Sequence, residues 1–180
     1  MADSNITKRA LASALKELMV EVPFEKINVA HICEKCNMNR KSFYYHFKDK
    51  YDLVNWIYDT EFISMIKEKE GLMGTDFFET LTEYLYENRE FYRKALKIVG
   101  QNSFSEHFRK MLFEVIAEYL RKMTGQEIPD MQVNFFVDGF VCAIERWLQD
   151  KNCVTSEEFI LLLKPCIQLA GQARKRENLI

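Results

Sequence analysis

The chain has 180 residues, 48% hydrophobic and 29% charged, a balance that supports a sizeable core and excludes a disordered chain. Six glycines and three prolines argue against a turn-rich β fold and for long helices. The formal net charge of −2 hides an asymmetry: residues 1–55 carry nine Lys/Arg against seven Asp/Glu, the remainder sixteen against twenty, so a mildly basic head precedes an acidic body.

Ile6, Ala10, Leu11, Ala14, Leu15 and Leu18 recur at helical spacing and predict a helix over about 6–20, with Asn5 as its cap. It must end before Pro23, because the residue preceding a proline avoids the α region. Asn28 caps a short second helix over about 29–35 that turns Val29 and Ile32 inward. Asn37 stands where the chain must turn, and asparagine tolerates a left-handed backbone. Asn39 caps a third helix over about 40–46, and Asp49 a fourth running through Leu53, Trp56, Ile57 and Ile63 to about 70.

Behind Gly71 and Gly74 the pattern resumes. Thr75 opens a helix through Phe78, Leu81 and Leu85, and Asn88 opens another that ends at Gly100. Ser103 opens a helix that runs to Gly125. After Pro129 a stripe of Val133, Phe136, Val137, Phe140, Ile144, Trp147 and Leu148 marks the next. The last, about 156–175, carries Phe159, Leu162, Leu163, Cys166 and Ala170, with Pro165 as a kink. No alternating β pattern and no repeat intervenes. The expectation is an all-α chain of about nine helices: a helix-turn-helix domain over 1–50 and a helical regulatory and dimerisation domain over 51–180, entered through the connecting helix at about 50–70.

Two short helices joined by a tight turn form a helix-turn-helix, whose second member can lie in the major groove. The third helix has the two faces this needs. Phe43 and Phe47 share one side, while Arg40 with Tyr44, and Lys41 with Tyr45, occupy the other. Arg40 and Lys41 suit base edges, since arginine can grip guanine with two hydrogen bonds. Tyr44, His46 and Lys50 suit phosphates, which position without reading sequence. Val29, Asn39 and Ser42, at the starts of the second and third helices, complete the DNA-facing set with Tyr45.

Cys33-x-x-Cys36 has the spacing of a metal or redox pair, with His31 nearby. A structural zinc site needs four ligands, and no second pair exists, so no metal is expected. Free cysteine also packs as a small apolar residue, and that is the expectation here; redox sensing is the lesser option.

The whole stretch resembles the N-terminal domain of the TetR/AcrR family of bacterial transcription regulators. The family pattern I-A-x-x-A-G-V, then S-x-x-T-[LF]-Y-x-[HY]-F-x-x-K-x-x-L, reads here I-C-E-K-C-N-M, then N-R-K-S-F-Y-Y-H-F-K-D-K-Y-D-L. Phe43, Tyr44, His46, Phe47, Lys50 and Leu53 match directly; Ser42 replaces threonine, Asn39 the capping serine, Asn37 the turn glycine, and Cys33 and Cys36 two small buried alanines. The resemblance covers about residues 5–60. It implies a two-fold symmetric homodimer on a palindromic double-stranded DNA operator, more often a repressor than an activator. Dimers of this family pair through their last two helices, which points here to Phe136, Gly139, Phe140, Ala143, Trp147, Phe159, Leu163, Cys166 and Ala170. The family's regulatory half usually encloses a small-molecule inducer, for which His107, Tyr119 and Trp147 are candidate liners. YYHFKDKYDLVNWIY, REFYRKAL and the chain length further resemble a subgroup that includes activators of dihydroxyacetone kinase operons. There an inducer-sensing partner protein can replace the internal ligand.

An enzyme is not expected. The chain shows no Ser/His/Asp or Cys/His constellation, no phosphate-binding glycine loop and no H-E-x-x-H, and Glu145-Arg146 reads as a solvated helix pair. No cofactor is implied. The polar start MADSNITKRA and the lack of any uncharged run near the ~18 residues of a membrane span lead to the expectation of a cytoplasmic protein with no membrane partner. A helical protein-interaction module without DNA binding is the competing class.

Overall fold

The computed structural model describes the backbone of residues 2–64, 66, 75–98, 100 and 103–177 and, within these, the side chains of all but 2, 3, 75 and 167–177. Among the described residues the fold is all-α: α1 (Ala2–Glu21), α2 (Val29–Lys35), α3 (Arg40–His46), α4 (Lys50–Tyr58), α5 (Thr75–Glu87), α6 (Arg89–Ala95), α7 (Phe104–Thr124), α8 (Asp130–Gln149) and α9 (Ser156–Glu177). A 3-10 turn at Phe24–Lys26 joins α1 to α2, and a π turn at Asp59–Ile63 continues α4.

Side-chain caps set the front helices. The Asn28 carboxamide accepts from the His31 N–H at 3.0 Å, Asn39 from Ser42 at 2.8 Å, and Asp49 from Tyr51 and Asp52 at 2.9 Å each. Each bond satisfies a donor that the first helical turn leaves unpaired. Asn5 is not a cap, because α1 starts at Ala2 and nothing between Ala2 and Asn5 breaks a helix. α6 stops at Ala95, short of the expected Gly100. There the ladder tightens to i→i−3 bonds, Lys97 to Lys94 and Ile98 to Ala95 at 3.2 Å each, as Leu96 and Ile98 turn into the core. Gly125, at φ +68, closes α7 with its N–H on the Arg121 carbonyl at 2.8 Å.

The chain packs as two units, residues 1–68 with 90–107, and residues 69–89 with 108–180. These cut the chain differently from a line at residue 50, because contacts group residues 90–107 with the front helices. The first unit's core holds Leu11, Leu15, Ile32, Phe43, Leu53 and Ile57. It continues to Tyr58, whose ring meets Phe62 at 5.2 Å, Phe104 at 5.3 Å and Tyr92 at 6.1 Å. In the second unit Phe78 meets Phe140 at 5.0 Å and Tyr119 at 5.9 Å, and Trp147 stacks between Phe159 at 4.2 Å and Tyr86 at 5.8 Å.

Candidate nucleic-acid interface

The corner between α2 and α3 turns through Asn37, whose φ of +53 is the left-handed conformation expected from its sequence position. The Met38 N–H returns to the Cys33 carbonyl at 2.8 Å, closing α2. Cys33 is buried beneath this corner, and the half-buried Cys36 donates its thiol to the Ile32 carbonyl at 3.2 Å. Burial pushes both thiols above their ordinary 9.0.

α3 then presents its two sides. Phe43 and Phe47 are buried, 5.8 Å apart, with Phe47 edge-on to Trp56 at 5.6 Å, and the helix packs on α1 and α2. Arg40 and Lys41 are exposed, with Tyr44 59% and Tyr45 82% exposed beside them. A helix held by phenyl rings on one side, with cations and phenols bare on the other, suits an anionic groove.

Val29, Arg40, Tyr44 and Lys50 line one open hollow of about 570 Å³, together with Asn28 and Tyr51. Asn39 and Ser42 are engaged with each other, the Asn39 carboxamide accepting from both the Ser42 N–H and its hydroxyl, at 2.8 and 3.2 Å. His46 is half-buried, wedged between Tyr45 at 4.8 Å and Phe47 at 6.4 Å.

Lys50, expected at a phosphate, has partners within the chain. Its ammonium donates to the Phe24 and Ile27 carbonyls at 2.7 Å each and lies 4.2 Å from the Phe24 ring centroid. Burial lowers its pKa below the ordinary 10.5. Carbonyls of the 3-10 turn and of Ile27 just after it, which the sequence did not announce, accept from its ammonium.

The candidate ligand residues have partners of their own. His107, in the first unit, pairs with Asp59 at 2.7 Å. Tyr119, in the second, lies edge-on to Phe78. Trp147 is buried, with its indole N–H on the Val154 carbonyl at 2.8 Å.

The candidate dimer residues divide. Trp147 and Phe159 stack on each other at 4.2 Å and are largely buried within the second unit. Phe136, Phe140, Ala143 and Leu163 are half-buried. Gly139 and Cys166 are exposed, and Ala170 lies outside the described side chains. A Cβ at Gly139 would meet nothing within 4 Å, so its smallness serves no neighbour in the same chain. Sequence reasoning missed Met131, 83% exposed, and Phe135, 74% exposed, on the same side of α8 as Gly139, and Leu161, 60% exposed, on α9. The signal was present, since 131, 135, 139 and 142 form a stripe opposite Val133, Val137, Val141 and Ile144.

Residues 11–57 match the family described as bacterial regulatory proteins, tetR family, and residues 75–168, just over half the chain, match the transcriptional regulator C-terminal region of that group. The HTH-type dhaKLM operon transcriptional activator DhaS of Lactococcus lactis subsp. lactis (strain IL1403) is 27% identical over 154 residues, 81% of each chain. Among solved structures, the dihydroxyacetone kinase operon activator DhaS aligns with a TM-score of 0.64 at 21% identity, over 91% of this chain and 97% of that one. A TetR transcriptional regulator from Streptococcus agalactiae 2603V aligns at 0.69 and 22%, over 89% and 93%. These structural likenesses speak to the fold.

Proposed function

The chain belongs to the TetR family of bacterial transcription regulators, and from that premise we propose that it reads a palindromic operator as a homodimer. It is a DNA-binding regulator and not an enzyme. Residues 1–50 read the duplex: Arg40 and Lys41 face base edges, Tyr44, Tyr45 and His46 approach phosphates, and Val29, Asn39 and Ser42 set the helix starts that face the backbone. The observation that carries this reading is the two-sidedness of α3, with Phe43 and Phe47 buried and Arg40 and Lys41 bare.

One seven-residue helix makes few base contacts; two copies spaced one DNA turn apart read a palindrome. The exposed stripe of Met131, Phe135 and Gly139 on α8, and the exposed Leu161, Leu162 and Cys166 on α9, support pairing through the last two helices. Residues 51–180 carry the controlling input, from a small inducer or from an inducer-sensing partner protein. The likeness to an activator of the dhaKLM operon and the separate commitments of His107, Tyr119 and Trp147 favour the partner. No helix among the described residues is long and apolar enough to cross a membrane, and we place the protein in the cytoplasm with its operator.

Selection of bound duplexes from a random pool tests this. A two-fold symmetric consensus is expected, and Arg40→Ala with Lys41→Ala should abolish its capture while leaving helicity and oligomeric state unchanged. A wild-type chain that enriches no consensus, or a double variant that enriches the same one, contradicts the reading.

A further inference from the structure

Residues 19–27 join the end of α1 to the start of α2, and two lysines from distant parts of the chain close on their carbonyls. Lys50, at the first position of α4, holds the Phe24 and Ile27 oxygens. Lys94, on α6, donates to the Val20 oxygen at 2.9 Å and to the Met19 oxygen. Met19 and Val20 lie in the last turn of α1, whose final carbonyls have no helical N–H to meet and whose partial negative charge favours a cation. A second tie runs between the same two helices. The Lys16 ammonium, paired with Glu61 at 2.6 Å, lies 5.6 Å from the centroid of Phe91. Lys16 sits one helical turn before Met19 and Val20, and Phe91 one turn before Lys94, so matched faces of α1 and α6 meet.

We propose that Lys94 is a positioning residue for DNA reading. It touches no base or phosphate; it fixes the last turn of α1 and thereby the attitude of α2 and α3. Those two helices have seven residues each, too few to hold a direction alone, and both pack on α1. Lys50 steadies the far end of the same connection. Lys94, in residues 90–107, packs in the same unit as the reading helices. The proposal rests on the operator-binding function above.

The test compares Lys94→Met, Lys94→Arg and Lys41→Ala on the duplex that the wild-type chain selects, with affinity measured across salt concentrations. Lys94→Met should bind on the order of tenfold more weakly at every salt, with an unchanged slope of log K against log salt, because no phosphate contact is lost. Lys94→Arg should restore binding. Lys41→Ala should lower the slope by about one. Amide exchange in the free protein should quicken across residues 19–27 in Lys94→Met alone. Unchanged affinity, a slope lowered by about one, or a Lys94→Met chain that does not fold would each overturn the proposal. A wild-type chain that selects no duplex removes the reading function instead, and the exchange result then decides whether the clamp exists.

Discussion

α3 and α8 are both two-sided helices, and they leave opposite things in water. α3 buries Phe43 and Phe47 and turns Arg40, Lys41, Tyr44 and Tyr45 outward. α8 buries Val133, Val137, Val141 and Ile144 and turns out Met131 and Phe135 beside Gly139. Water solvates a guanidinium or a phenol well, so the bare side of α3 is stable as it stands and selective for an anion. Exposed thioether and phenyl surface costs about 25 cal/mol per Å², so the bare side of α8 favours an apolar partner; Leu161 and Leu162 on α9 are exposed as well.

The comparison breaks most severely if the inward side of α3 is removed. Phe43 is fully buried, and Phe43→Ala should cost about 3–5 kcal/mol of folding stability, read as a lowered urea midpoint and, with it, lost DNA binding. A variant of wild-type stability would mean that α3 is not held by its rings. Next, Phe135→Glu with Leu161→Glu should turn a dimer into a monomer in sedimentation. Operator affinity should fall by at least about 100-fold, as the second half-site no longer binds in the same event. A double variant that stays dimeric would place the contact elsewhere. On the outward side of α3, Arg40→Ala should cost about 1–3 kcal/mol of operator binding and relax the preference at one base pair of each half-site, with stability unchanged. Equal loss on operator and random DNA would reduce Arg40 to a phosphate contact.

The same contrast explains what could be read from the residues alone. α2 and α3 were legible to their end residues because each is bracketed by polar signals that act locally: Asn28 and Asn39 as caps, Asn37 as the left-handed corner. The burial of Phe43 and Phe47 followed from their i, i+4 spacing. α8 was legible as a helix, and Val133, Val137, Ile144, Trp147 and Leu148 of its expected stripe are buried, but the apolar residues on its opposite side, Met131 and Phe135, were passed over. Which aromatic stacks inside depends on the approach of Phe159 and Tyr86 to Trp147, a tertiary fact. Lys50 was legible as a cation, yet its ammonium donates to carbonyls of a 3-10 turn and of Ile27 just after it, more than twenty residues earlier. Local chemistry names a residue's capacity; the packing of distant segments decides where that capacity is used.

The smallest expected effect concerns the buried side of the α2–α3 corner and is a matter of proton linkage. Burial raises the Cys33 and Cys36 thiols above 9.0. Near pH 9 the unfolded chain sheds these protons while the folded chain keeps them. Their contribution is therefore intact below pH 9 and is lost as pH rises through the folded values. Lys50 works in the opposite sense. Its folded pKa lies below 10.5, so in the window under that value the unfolded chain binds more protons and stability rises with pH. The urea midpoint of Cys33→Ala with Cys36→Ala should accordingly fall less between pH 8 and 10 than that of the wild-type chain. An equal fall would show that the thiols titrate alike in the folded and unfolded chain, and that the corner does not shield them from water.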